Sequence, residues 1–468
     1  MTDLHYRSLS DVCRRIKSGE LKASQVTEAM LARIDRLEPE LGAYACVMAE
    51  QAMSEAERLD SERASGKPLG LLHGVPIAVK DLFFTRGVVT ASGTRVMADF
   101  VPDEDATVVA RLKASGAVII GKTKLWEGAF GVHHPDVRAP LNPWSSRHWT
   151  GGSSSGSAVA TAAGLAFGAL GSDTGGSIRF PCASCGLVGI KPTYGRVSRY
   201  GSFPLAGSLD HVGPMTRSVE DAVRMLQVLA GPDPRDPTTL PGLLPNYADG
   251  LSFGQVDGLA GLTIGVDWAY ASTGVEQTVV DTVREALDVF RELGAAVRDV
   301  AMPRSAAALI AGWSVTCGVE CAQAHADFYP ARRRDYGPAL AGLIEIGRAA
   351  PTADYEALEA TRRDFRCQFD RLLETVDLLI TPCMPRLPPE VEAIEWSDLP
   401  DSEAASFLTF TAPFNYSGHP ALVLPAGVSA TGLPLSFQLV GRRLAEPTLV
   451  RAGFAYEQAH GGPAHPDV

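Results

Sequence analysis

Hydrophobic positions along the chain switch between helical and strand-like spacing. In residues 24–38, SQVTEAMLARIDRLE, apolar side chains recur on one helical face, and Ser24 is the expected N-cap. Residues 74–83, GVPIAVKDLF, alternate in the manner of a strand, and this strand is expected to end at Lys80. Because strands and helices alternate, the pattern predicts an α/β fold around a mostly parallel or mixed sheet.

The same reading extends over most of the chain. It predicts helices over 105–116, 156–169, 274–294 and most of 305–375, and strands over 117–120, 261–267, 295–300, 376–382 and 420–427. Residues 231–256 are rich in proline and glycine and predict a loop, which is the best candidate for a domain boundary. Since the patterns on its two sides are alike, we expect a single domain over 1–468. Its helical N-terminal segment covers about 1–65.

Composition and charge limit the classes of molecule that are expected to bind this protein. The chain has 468 residues, with 42 Lys and Arg against 54 Asp and Glu, a net charge of −12. Without basic clusters, this balance argues against nucleic acid or an anionic membrane as the main partner. The N-terminus lacks the apolar core of a signal peptide, and no run of 18 apolar residues exists. The expected location is therefore the cytoplasm.

Two close cysteine pairs raise the question of a metal site. Cys182 and Cys185 form one pair and Cys317 and Cys321 the other, more than 130 residues apart. Zinc ribbons usually bring two such pairs together across short spacers. We therefore interpret these cysteines as buried free thiols rather than metal ligands.

Two motif matches point to other chemistry and are rejected on local grounds. Residues 116–123, GAVIIGKT, satisfy the phosphate-loop pattern, but the intervening residues are strand formers rather than a turn. Residues 152–156, GSSSG, satisfy the nucleophile-elbow pattern with Ser154 as nucleophile and His211, His325 or His419 as possible partners. That elbow requires an apolar strand running directly into it, and the residues before it are polar.

A third pattern joins two glycine-serine loops to one lysine. Ser177 follows Gly175 and Gly176, whose backbone freedom would let neighbouring amides converge on one point, as an oxyanion hole requires. Ser153 lies in the second loop, and Lys80 ends a predicted strand. A serine hydroxyl needs a base, and a lysine that burial keeps neutral can serve. The three residues together predict a proton relay.

At these motifs the chain resembles the amidase signature family. The resemblance spans about 70 to 440 and rests on motifs in the family's order, which are 74–81, 116–123, 151–158, 171–198, 208–222, 414–425 and 435–441. The block GSDTGGSIRFPCASCGLVGIKPTYGRVS is long and highly specific. The family implies a large central mixed β-sheet flanked by helices on both faces. It also implies a signature core over about 70–225 and a variable helical region on the substrate side over about 305–375.

The resemblance also implies roles for single residues. Lys80 would be the general base, Ser177 the acyl nucleophile, and Ser153 the bridging serine, held after a cis peptide bond. The amides of Thr174, Gly175 and Gly176 would bind the oxyanion. Supporting roles fall to Ser154, Asp173 and Arg179, and substrate contacts to Ala129 and Phe130.

The implied function is that of a serine amidohydrolase. It would cleave the C–N bond of a small linear amide through an acyl-enzyme, and similar enzymes also accept aryl esters and carbamates. The implied mechanism needs no metal and no cofactor. The alternative is an amidotransferase A-type subunit that releases ammonia from glutamine for a partner. Residues 122–136, KTKLWEGAFGVHHPD, depart from the KTNMDEFAMG form typical of that subunit. The natural substrate and the oligomeric state stay open, with a homodimer as one option.

Overall fold

One large mixed sheet organises the molecule. The computed structural model describes residues 4–249, 251, 258–391, 406–462 and 464–468. Within them, eleven strands form a single sheet in the order β1-β3-β2-β4-β6-β5-β10-β11-β9-β7-β8. The strands are β1 Tyr44–Val47, β2 Pro76–Lys80, β3 Val118–Thr123, β4 Gly168–Asp173, β5 Val188–Lys191, β6 His211–Thr216, β7 Thr263–Val266, β8 Ala296–Asp299, β9 Leu378–Thr381, β10 Ala421–Val428 and β11 Pro434–Gly441.

Helices pack on both faces of this sheet. They are α1 Leu9–Ser18, α2 Ala23–Leu41, α3 Ala49–Ala64, α4 Thr107–Ala114, α5 Ser155–Ala162, α6 Arg179–Cys185, α7 Val219–Leu229, α8 Trp268–Ser272, α9 Gln277–Glu292, α10 Ser305–Ala311, α11 Trp313–Ala324, α12 Pro338–Ala349, α13 Thr352–Thr375, α14 Ala412–Ser417 and α15 Glu446–His460. The predicted α/β fold with a large mixed sheet is confirmed. The predicted helical region 305–375 is confirmed as α10 to α13.

The direction of the central strands explains where polar side chains gather. Strand β2 pairs in parallel with both β3 and β4. The carboxyl ends of parallel strands meet at one edge of the sheet, where α/β proteins commonly place their sites. Lys80 is the last residue of β2 and Asp173 the last of β4, so both lie at that edge. Every residue of these two strands is buried, which explains their apolar composition.

Three details of the predicted elements are wrong. The segment predicted to be helical over about 1–65 also contains a strand, β1, which pairs with β3. Helix α2 begins at Ala23 after Lys22, so Ser24 is not its N-cap. The amides of Ala23 and Ser24 instead donate to the Asp60 carboxylate on α3, at 2.7 and 3.1 Å, so a neighbouring helix supplies the acceptor. The helix predicted over 156–169 ends at Ala162, because Gly164 takes the left-handed conformation with φ 67°.

The loop predicted over 231–256 agrees with the structure where it is described. Residues 231–249 and 251 form neither helix nor strand, and the rest of that prediction lies outside the described residues. No single helix in the described ranges is long and apolar enough to cross a membrane. Helices α10 and α11, which meet at a bend of 47°, reach that length and composition only as a pair.

Candidate active site

A buried lysine surrounded by serines lies at the carboxyl edge of β2. The Lys80 ammonium nitrogen, Nζ, lies 2.7 Å from Ser153 Oγ, 2.8 Å from Ser154 Oγ and 2.8 Å from Ser172 Oγ. Its side chain is fully buried. Within the described ranges Lys80 forms no ion pair, so its direct polar partners are neutral hydroxyls.

This environment favours the neutral amine. Burial removes water from the ammonium group and lowers the pKa of Lys80 to about 7, while the more distant charges of Asp173 and Asp210 oppose the shift. A lysine with a pKa near 7 exists largely as the free base at mildly alkaline pH. It can then accept a proton from a neighbouring hydroxyl.

Ser177 lies where solvent can reach it. Between residues 149 and 193 it is the one half-buried residue, and all the others are buried. Ser177 Oγ accepts a hydrogen bond from the Ser153 amide at 3.1 Å. The loop of Ser153 and the loop of Ser177 are therefore in direct contact, and Lys80 contacts the loop of Ser153.

Two features of the implied relay differ from expectation. The described residues contain one cis peptide bond, Tyr329–Pro330, so the Gly152–Ser153 bond is trans and the expected cis bond is wrong for this structure. A trans bond is the lower-energy form before a non-proline residue. In the described part of the chain there is no hydrogen bond between the Ser153 and Ser177 hydroxyls, because the Ser153 amide takes that position.

An acidic residue anchors the loop that carries Ser177. The carboxylate of Asp173 accepts from Arg179 Nε and Nη2, both at 3.0 Å, and from the Asn415 side-chain amide at 2.8 Å. It also accepts from the amides of Gly176 at 2.8 Å and Ile178 at 3.1 Å. Burial by itself would raise the pKa of Asp173, but the charges of Arg179 and Lys191 and the hydrogen bond from Asn415 hold it well below its usual range. Asp173 and Arg179 are therefore paired inside the loop.

The backbone amides near Ser177 fall into two groups. The Gly176 amide points at Asp173, so its predicted place in the oxyanion hole is wrong for this structure. The amides of Thr174, Gly175 and Ser177 have no hydrogen-bond partner within the described ranges. Thr174 and Gly175 are buried and Ser177 is half-buried. Amides without partners in such surroundings are rare, so these three are available to a bound group. Gly176 itself has φ 134°, and an added Cβ would lie 2.4 Å from the Phe180 ring.

Three further residues hold the same loop, and the sequence did not single them out. Asp210 accepts from the Thr174 hydroxyl at 2.6 Å. The Thr411 hydroxyl donates to the Gly175 carbonyl at 2.5 Å, and the Asn415 side chain donates to the Asp173 carbonyl at 2.9 Å. Asp210 lies in the motif 208–222 and Asn415 in the motif 414–425, so these two motifs were the available signals, whereas Thr411 lies in neither. Ser172 was also missed, although it adjoins Asp173 in the longest motif.

Ala129 and Phe130, the two expected substrate contacts, have different neighbours. Ala129 lines a cavity of about 10 Å³ together with Ser172, Thr174 and Asp210. Phe130 is half-buried and stacks on Trp313, with ring centroids 6.1 Å apart. A second aromatic group packs around Phe180, which lies 6.0 Å from Trp149 and 6.4 Å from Phe407 between ring centroids.

The structure also bears on the phosphate-loop and nucleophile-elbow motifs that the sequence analysis rejected. Lys122 of GAVIIGKT is the fifth residue of β3 and is buried, with its ammonium 3.0 Å from Asp81 Oδ1. Ser154 Oγ is bonded to Lys80 and to the Ser172 carbonyl, and in the described ranges no histidine reaches it. The two cysteine pairs that lie close in the sequence consist of buried free thiols, as the sequence analysis predicted. They are Cys182 with Cys185 and Cys317 with Cys321.

Comparison with known proteins shows the family of the chain. The model of the family named Amidase matches residues 25–450. The chain belongs to the amidase family. It is 44% identical to "Putative amidase AmiD" of Mycobacterium tuberculosis over 459 residues, 97% of this chain and 94% of that protein. The resemblance to the amidase signature family is thereby confirmed, and the family assignment supports a hydrolase that acts on amides.

This amidase family member is also similar to an amidotransferase subunit and to a solved amidase structure. The A-type subunit of glutamyl-tRNA(Gln) amidotransferase from Roseiflexus sp. is 38% identical over 484 residues, 98% of this chain and 97% of that protein. A solved crystal structure of an amidase superposes with a TM-score of 0.85 at 31% identity, covering 97% of this chain and all of the other. Both comparisons cover nearly the whole chain.

Proposed function

We propose that the protein is a serine amidohydrolase that cleaves the C–N bond of a small carboxylic amide through an acyl-enzyme. The observation that carries the proposal is the position of Lys80. It is buried against three serine hydroxyls without an ion-pair partner in the described ranges, beside a loop whose one accessible side chain is Ser177. Ser177 is the proposed nucleophile and Lys80 the proposed base.

The acylation step follows from these groups. Neutral Lys80 takes the proton of the Ser153 hydroxyl, and Ser153 takes the proton of Ser177 as Ser177 Oγ bonds to the carbonyl carbon. This transfer requires the Ser153 hydroxyl to turn towards Ser177, whose Oγ already contacts the Ser153 amide. The C–N bond then breaks, and the proton passes back through Ser153 to the leaving amine. Water hydrolyses the resulting ester and restores Ser177.

The negative charge that develops on the carbonyl oxygen needs fixed donors. The unpartnered amides of Thr174, Gly175 and Ser177 are the proposed oxyanion hole, since Asp173 already occupies the Gly176 amide. Removing one such donor typically costs about 10²–10³-fold in rate. Asp173, Arg179 and Asn415 would hold these amides in place, so they are positioning residues rather than reacting groups. Aryl esters and carbamates present the same carbonyl geometry and are proposed as further substrates.

A fluorophosphonate probe tests the proposal without a choice of substrate. The probe bonds covalently to an activated serine, and peptide mass spectrometry locates the adduct. We expect an adduct on Ser177 that is lost in Ser177→Ala and slowed at least about tenfold in Lys80→Ala and Ser153→Ala. Ser155→Ala is the matched control, because Ser155 lies in the same loop but bonds to His133. An adduct on Ser154, or labelling that ignores Lys80, would refute the assignment.

The amidotransferase relative supports a second candidate function. A protein of that kind would release ammonia from glutamine and depend on a partner chain. This candidate predicts glutamine hydrolysis that rises when candidate partner chains are added. The proposed amidohydrolase instead predicts hydrolysis of simple amides by the isolated chain. Assaying glutamine and a small amide side by side separates the two.

A further inference from the structure

A tryptophan from the variable helical region lies directly against the loop of Ser177. Trp313 is the first residue of α11 and is 8% exposed. A Cβ built on Gly175 would lie 2.9 Å from Trp313 Cζ2 and 3.0 Å from its Cε2. Such a distance is too short for a real side chain. The glycine therefore lets the indole ring reach the backbone two residues before the proposed nucleophile.

Phe130 extends this surface. Its ring stacks on Trp313 with 6.1 Å between centroids and 17° between planes, so the two rings are nearly parallel. Leu408 adds an apolar contact on the same side, since its Cδ2 would lie 3.0 Å from a Cβ on Gly175. Phe130 and Leu408 are half-buried, so the surface beside Gly175 is partly exposed, and we call Phe130 with Trp313 the aromatic wall. Flat apolar groups pack well against such rings.

The indole nitrogen of Trp313 is a second, independent observation. Trp313 Nε1 is buried and donates to no acceptor in the described part of the chain. Buried donors nearly always have a partner, and an exception calls for an explanation. A bound molecule with a hydrogen-bond acceptor beside its flat group would supply one.

The two carboxylates that contact the loop are already engaged by the protein. Asp173 is paired with Arg179, and Asp210 accepts from Thr174. A substrate held by its own charge, as free glutamine would be, needs unengaged charges, and the wall presents aromatic carbon instead. The wall therefore fits an uncharged flat group.

We propose that Trp313 and Phe130 bind an uncharged aryl group attached to the scissile amide and so determine substrate specificity. The aryl group can belong to the acyl side or to the amine side, and the experiment below distinguishes these. This inference rests on the proposed function, in which Ser177 attacks the amide.

The test compares three neutral amides in steady-state kinetics. Propionamide has no ring, benzamide carries it on the acyl side, and acetanilide on the amine side. For the wild-type protein we expect a higher kcat/KM with one of the two aryl amides than with propionamide. Trp313→Ala should lower kcat/KM for that aryl amide at least about tenfold, mainly through KM. The loss with propionamide should stay below about threefold.

Two further variants keep the test decisive. Trp313→Phe retains a ring but removes the N–H and should lose about two- to tenfold with the preferred aryl amide. If Trp313→Ala fails to fold, Phe130→Leu carries the test, and its loss must again be confined to aryl amides. Trp268→Ala is the control for removing a tryptophan, because Trp268 lies on α8 against Arg284. This change should leave kcat/KM unaltered for the aryl amide and for propionamide.

Labelling of Ser177 separates failure of this inference from failure of the proposed function. If the fluorophosphonate labels Ser177 in the wild type and in the Trp313 variants, the nucleophile stands. An unchanged ratio of aryl to aliphatic kcat/KM in Trp313→Ala, or a wild-type preference for propionamide, then overturns the inference alone. If Ser177 is not labelled in the wild type, the proposed function itself fails.

Discussion

Lys80 and Lys122 are two buried lysines on neighbouring parallel strands with different partners. Lys80 ends β2, and Lys122 is in β3, paired in register with Val79. Lys80 contacts three serine hydroxyls at 2.7 to 2.8 Å. Lys122 contacts the Asp81 carboxylate at 3.0 Å and the Thr90 hydroxyl at 2.8 Å. Both side chains are fully buried.

The difference shows how partners divide one residue type between two roles. Burial lowers the pKa of both lysines, because each ammonium loses its hydration. At Lys122 the adjoining carboxylate opposes that shift and makes an ion pair. At Lys80 the contacting groups are neutral, and only the more distant Asp173 and Asp210 oppose it. The first arrangement suits a structural pair and the second a base.

The largest expected effect is the loss of catalysis with Lys80. Lys80→Met removes the proposed base while keeping the length of the side chain, so kcat/KM for an amide at pH 8 should fall about 10³-fold or more. Lys122→Met is the matched control, and its folded fraction should retain kcat/KM within about tenfold. Equal losses in the two variants would contradict the division of roles.

Lys122→Met should reduce stability more than Lys80→Met does, which is the reverse of their order in loss of activity. Lys122→Met leaves the charge of Asp81 buried without its partner, so the free energy of unfolding should fall by about 3–5 kcal/mol. Lys80→Met leaves only hydroxyls without a partner and should cost about 1–3 kcal/mol. Denaturant titration measures both. The double change Lys122→Met with Asp81→Leu should recover most of the loss, and a double variant no better than Lys122→Met would refute the pair as its cause.

The pH dependence of acylation should follow the partners of Lys80. Only the neutral amine accepts a proton, so the rate should rise as pH increases through about 7 and fall below it as Lys80 is protonated. Ser172→Asp places a carboxylate beside the ammonium, as at Lys122, and should raise the pKa and move the midpoint up by about one unit. Ser172→Asn is the neutral control. If the midpoint of the pH profile does not move in Ser172→Asp, the pH dependence does not arise from protonation of Lys80.

The smallest effect is expected at Thr90. Thr90→Val removes one hydrogen bond to Lys122 and should lower the free energy of unfolding by about 1 kcal/mol. The midpoint of the pH profile should not move, because Thr90 does not contact Lys80. A shift of that midpoint would show that the two lysine sites are coupled.

Much of the site was predictable because its parts carry local signals. The strand ending at Lys80 is visible in alternation, and the two glycine-serine loops are visible in composition. The partners of these loops were not predictable in the same way. Thr411 and Asn415 lie more than 230 positions from the loop they hold, and no periodicity links them to it. The direction of the Gly176 amide was also missed, because it depends on where the Asp173 side chain turns.

The sequence by itself determined the alternation of strands and helices, the family, and the candidate residues for the proposed chemistry. Those features follow from spacing and side-chain type, which neighbours along the chain carry. The tertiary structure alone decided which buried lysine meets hydroxyls, which amides remain without partners, and that Trp313 lies on Gly175. Burial and distance between groups far apart in sequence set these properties, because desolvation and charge act through space.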